Sequence, residues 1–116
     1  MAKAKFKHLY SETYRQNIYY VACSPKEYIK LIQHEFNCVP DVSAKKQGAK
    51  FEVYIKKDVE ICVIWITDKK RLDFLAHECM HATHYILANR GLWLTDSSEE
   101  AYAYLMQWIV SNILGI

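Results

Sequence analysis

The 116 residues carry 52% hydrophobic, 24% charged and 14% aromatic side chains with only 3 Gly and 2 Pro, the profile of one globular domain over residues 1–116 and not of a disordered or collagen-like chain. A chain of this length buries most of its apolar surface without staples, so a metal would serve chemistry before it served folding. The net charge is +2, with lysines in small groups at Lys3, Lys5 and Lys7, at Lys45 and Lys46, and at Lys69 and Lys70 beside Arg71; this is not the dense basic stripe that tracks phosphates, which argues against a nucleic-acid partner.

Asn17 to Cys23 is rich in β-branched and aromatic residues and predicts a first strand. Ser24-Pro25-Lys26-Glu27 satisfies a capping box, with Pro25 at the first helical position, and opens a helix to about Phe36. Asn37 and Pro40 end it, and the long turn-rich stretch to Lys50 suits a lid. Phe51 to Lys57 alternates apolar and polar residues, a half-buried strand. Across a turn near Lys57 and Asp58, Glu60 to Thr67 is apolar on both faces and belongs deeper in the sheet, so the two form a hairpin. Thr67 or Asp68 then caps a long helix from about Lys69 to Arg90, closed by Gly91. Asp96 with Glu99 offers a second capping box for a last helix through Ala101 to Leu114. The order strand, helix, strand, strand, helix, helix is an α+β domain, a short sheet packed against the long helix and the C-terminal one.

The cysteines, Cys23, Cys38, Cys62 and Cys79, form no C-x-x-C pair and read as free buried thiols. Met1 to Tyr10 has no apolar run behind its lysines, and Tyr104 to Ile116 is too short and too interrupted by Gln107, Ser111 and Asn112 to span a bilayer. A cytoplasmic chain with no membrane partner is expected.

The chemistry lies in the long helix, at His77-Glu78-Cys79-Met80-His81. In an α-helix two residues four apart differ by about 40° around the axis and about 6 Å along it, so both imidazoles converge on one small ion. Glu78, about 100° from His77, can reach a water at that ion without being a ligand. Leu72, Leu75, Cys79, Ala82 and Ile86 form an apolar stripe on the far side, so the helix packs with its back and shows its histidines elsewhere.

A catalytic zinc takes three protein ligands and keeps one open position, and the last helix offers Glu99 and Glu100. In this arrangement the sequence resembles the zincin metallopeptidases of the gluzincin type, in which an acidic third ligand comes from a helix downstream of the H-E-x-x-H helix. In that family the ligand glutamate is often followed by a small residue, as Glu100 is by Ala101. With Asp96 as N-cap, Glu99 serves the helix end and Glu100 is free for the metal; with Ser97 as cap the roles reverse. Glu100 is the preferred ligand. The metzincin continuation is absent, since Ala82, Thr83 and His84 follow His81 inside an unbroken helix. His84 lies about 10 Å along the axis from His77, too far to share its ion; it is read as exposed or structural, with contact to substrate or to a metal ligand as the alternative. Tyr104, on the Glu100 face, either orients a ligand or stabilises an oxyanion, or packs as an ordinary aromatic.

The resemblance covers about Val59 to Trp108 and the size matches minimal zincin-like proteins of phages and prophages. It implies a zinc-dependent metallopeptidase acting on a peptide or protein, with His77, His81 and Glu100 as ligands and Glu78 as general base. The rival expectation is a catalytically idle zinc-binding protein that works as an inhibitor or adaptor through protein binding, and a weaker one is a DNA-associated regulator. An exposed strand such as Phe51 to Lys57 would align an extended peptide.

Overall fold

The computed structural model describes residues 3–40 and 48–116. Its elements in chain order are β1 (Lys7–Ser11), β2 (Gln16–Ala22), α1 (Pro25–Phe36), β3 (Ala49–Lys56), β4 (Val59–Ile66), α2 (Leu72–Ala88) and α3 (Glu99–Leu114). The strands form one mixed sheet in the order β1-β2-β4-β3, with β2 and β4 parallel and the outer pairs antiparallel. The fold is α+β, as expected. The stretch expected to act as a lid falls largely on residues 41–47, outside those described.

The two-faced apolarity of β4 has its cause in this order. As an inner strand it alternates Ile61, Val63 and Trp65 into one core, with Val21, Cys23, Tyr28 and Ile32. Cys62, Ile64 and Ile66 enter a second core with Ile18, Leu75, Cys79, Ala82, Ile86 and Ile109. Helix α1 therefore covers one face of the sheet, while α2 and α3 share the other. Tyr28 stacks on Trp65 at 4.7 Å and 7°, the Trp65 indole donates to the Cys23 carbonyl at 2.9 Å and the Tyr28 hydroxyl donates to the Glu52 carboxylate at 2.5 Å, so the polar edges of this pair are used.

Local chemistry accounts for most element ends. Ser24 accepts from the Glu27 amide and Glu27 accepts from the Ser24 amide, the reciprocal box, and Asn37 closes α1 in the left-handed region at φ 53°. The β3–β4 hairpin turns on Lys57 and Asp58, at φ 51° and 65°, with Lys56 paired to Val59.

Several ends differ from expectation. Strand β1 is an additional element: only Leu9 and Ser11 of its five residues are buried, too weak a pattern to announce a strand. Helix α2 starts at Leu72 with no side-chain cap. Thr67 instead donates its amide and hydroxyl to Gly48 O, at 2.8 and 2.9 Å, and the Asp68 carboxylate accepts from the Lys70 amide. Leu72 is 56% exposed and leaves the apolar stripe, which Leu75, Cys79, Ala82 and Ile86 keep. At its far end Gly91, φ 78°, donates to Ala88 O while the Leu92 amide reaches Leu87 O, the left-handed termination expected of this glycine. Helix α3 begins after Ser98, which makes no side-chain cap; neither Asp96 nor Ser97 holds that place. Among the described residues no helix is long and apolar enough to cross a membrane, and all of the cysteines are free, Cys38 half-buried and the others buried.

Candidate metal centre

Helix α2 lies with Leu75, Cys79, Ala82 and Ile86 against the sheet, which turns His77 and His81 to the surface, where both are exposed. Their Nε2 atoms are 3.1 Å apart and their rings meet edge-on at 72° with centroids 4.8 Å apart. Two nitrogens about 2.05 Å from a tetrahedral zinc stand about 3.3 Å from each other. The pair therefore fits one ion with an adjustment of a few tenths of an ångström.

Glu78 completes the group: one donor atom from each of His77, Glu78 and His81 lies within 4.8 Å of the others, and among the described residues this is the cluster suited to a metal ion. Unlike the histidines, Glu78 is buried, 6% exposed. Burial pushes its carboxyl above the ordinary glutamate value, while the charges of His77 and His81 and a hydrogen bond from the Phe51 backbone pull it down. The donor set, two imidazoles and a carboxylate, suits zinc and other first-row divalent ions.

Strand β3 forms the second wall. Ala49, Lys50 and Phe51 face His77, Glu78 and His81 across a cleft of about 250 Å³. The Phe51 ring lies nearly parallel to that of His81, 21° between planes and 6.5 Å between centroids. Because β3 is the last strand of the sheet, no strand among the described residues pairs with its outer edge beside the histidines. The sequence pointed to this strand as a peptide edge, but not to the tie between Phe51 and Glu78, which only the tertiary packing of β3 on α2 creates.

The remaining candidates lie apart from the trio. Glu99 and Glu100 are both exposed in the first turn of α3, and neither belongs to the His77–Glu78–His81 group. His84 is exposed, with its ring 6.4 Å from those of Trp93 and Tyr102. Tyr104, 67% exposed, lines a different cleft with Tyr10, Tyr14 and Trp108, so it neither packs in the interior nor borders the histidines. Comparison with protein-family models, curated proteins and solved structures finds no match for this chain.

Proposed function

We propose that the chain is a small zinc-dependent metallopeptidase of the zincin type. The observation that carries this reading is the placement of a buried glutamate beside two exposed imidazoles whose Nε2 atoms are 3.1 Å apart. His77 and His81 are two of the metal ligands. Glu100, exposed and without a hydrogen bond or ion pair among the described residues, lies outside the His77–Glu78–His81 group and is assigned as the third on the resemblance to the gluzincin pattern, which requires its side chain to swing to the pair. Zinc in such a site supplies Lewis acidity, bringing the pKa of a coordinated water toward about 7 and polarising the carbonyl to be attacked.

The residues of the chain do the rest. Glu78 accepts the proton of the attacking water and returns it to the leaving amine; the hydrogen bond from the Phe51 backbone holds its carboxylate in place for both transfers. The outer edge of β3, apart from the Phe51 amide that Glu78 takes, hydrogen-bonds an extended peptide as an added strand and lays its backbone across the cleft. A zinc protein without turnover would keep the same histidines, but it has no use for a buried base between them, and that favours the hydrolase.

Metal analysis of the purified protein should give about one zinc per chain, lost in His77→Ala and in His81→Ala. Glu100→Ala should weaken zinc binding strongly and Glu99→Ala leave it unchanged; the opposite ranking reassigns the third ligand. Glu78→Gln, which keeps the shape but cannot take up a proton, should retain fold and zinc and lose peptide hydrolysis. Full biological effect in that variant would transfer the function to the binding protein without turnover.

A further inference from the structure

The connection between α2 and α3 presents Leu92, Trp93 and Leu94 in succession, 39%, 63% and 52% exposed. Scattered exposed apolar residues are ordinary; a contiguous run of large ones belongs to recognition surfaces. Here the backbone beneath them is tied down. The Leu92 amide donates to Leu87 O at 2.9 Å, the Tyr102 hydroxyl donates to Leu92 O at 2.6 Å, and the Ser98 hydroxyl donates to Trp93 O. Ser98 Oγ also accepts from the Thr95 amide at 2.9 Å. The three side chains are thus held outward on an ordered loop, which lowers the entropy cost of binding something to them.

The loop is continuous with the candidate metal centre. Trp93 stands beside His84, which is one helical turn beyond His81 on the exposed side of α2, and Met80, 36% exposed, lies on that same side. A ridge of Met80, His84 and Trp93 therefore runs from the histidine pair along α2 to the loop. Its rim is acidic: residues 91–99 contain Asp96 and Glu99 and no lysine or arginine, the following Glu100 being assigned to the metal. These carboxylates are exposed and form no ion pair among the described residues. Arg90, the nearest cation in the chain, is turned to the Tyr14 and Ile86 carbonyls.

We propose that this ridge and its acidic rim are a docking surface for a polypeptide segment in which large apolar residues are flanked by lysine or arginine, and that the surface selects the substrate. The selection rests on the metallopeptidase reading; the docking does not. An aromatic anchor with unpaired carboxylates around it complements an apolar segment with cationic flanks. An anionic bilayer is the other apolar partner for exposed Leu and Trp, but the same carboxylates repel it.

Binding is read apart from turnover by using the full-length Glu78→Gln protein and fluorescein-labelled twelve-residue Gly/Ser peptides with a central Leu-Phe pair between lysines. Anisotropy should show binding that weakens about tenfold or more when Leu-Phe becomes Ser-Ser, when the lysines become glutamates, or when the protein carries Trp93→Ala. The Asp96→Lys/Glu99→Lys double variant should reverse the charge preference toward the glutamate-flanked peptide. Equal affinity for lysine- and glutamate-flanked peptides, or undiminished binding in Trp93→Ala, overturns the proposal. So does Trp93-dependent binding to phosphatidylcholine/phosphatidylserine vesicles without peptide binding. If the wild type binds the peptide with this pattern yet never cleaves it, the docking surface stands and the peptidase reading falls.

Discussion

Gly48 sits at φ +75°, and an added Cβ would lie 2.7 Å from the Phe74 ring and 3.1 Å from Thr67 Oγ1. Its carbonyl takes both hydrogen bonds of Thr67, so one residue joins the start of β3, the end of β4 and the first turn of α2. Gly48→Ala combines left-handed strain with a steric clash and should lower stability by about 1–3 kcal/mol, read as a fall in the urea midpoint; an unshifted midpoint would contradict this approach of Phe74. At this scale the histidine pair was the most legible part of the chain. The spacing of His77 and His81 fixes their relative placement through helix geometry alone, whereas the burial of Glu78 was hidden because it depends on β3, some 25 residues upstream. The position of Glu100 relative to the pair is likewise set by how α3 meets α2, which spacing along the chain does not encode.

Hairpin β3–β4 turns through two non-glycine residues of positive φ, Lys57 and Asp58. Two-residue hairpins of this kind favour Asn-Gly, and each non-glycine residue in the left-handed region costs about 1–2 kcal/mol. Replacing Lys57-Asp58 by Asn-Gly should therefore stabilise the protein by about 1 kcal/mol, seen as a higher thermal midpoint; a lower one would mean that the turn is not of this type. Elements written in local chemistry were readable: the Ser24–Glu27 box began α1 where expected, and the apolar run of β4 announced an inner strand. Elements defined by distant contacts were not. Strand β1 buries Leu9 only because it pairs with β2, and the start of α3 could not be chosen among neighbouring Asp and Ser side chains, since Ser98 spends its hydroxyl on the Trp93 carbonyl.

The molecule as a whole has two cores separated by one sheet; one contains the buried thiol of Cys23 and the other those of Cys62 and Cys79. Burial, with Glu27 nearby, pushes Cys23 from an ordinary 9.0 up to about 12, against a hydrogen bond from Trp65. Burial, with Glu60 nearby, pushes Cys62 up to about 12, against the charge of Arg90, and burial, with Glu78 nearby, pushes Cys79 up to about 12. The native state thus keeps protons that the unfolded chain releases above about pH 9. Stability from these groups is complete below that pH and falls toward pH 12 by about 1.4 kcal/mol per unit per thiol. Urea titrations should show this decline, and Cys62→Ala should remove one thiol's share of the slope; a flat profile up to pH 11 would contradict the burial of all three. Tyr28 and Tyr54, also raised by burial, steepen the fall above about pH 10. Strand β4 is paired along both edges and covered on both faces, so its amides have no route to solvent by fraying. In deuterium oxide the protons of Cys62 to Ile66 should be the last to exchange, at the rate of global unfolding. A strand shared by both cores also leaves no half-melted form in which α1 has detached and α2 survives: the histidine pair persists for as long as the far side of the sheet does, and is lost with it in a single step.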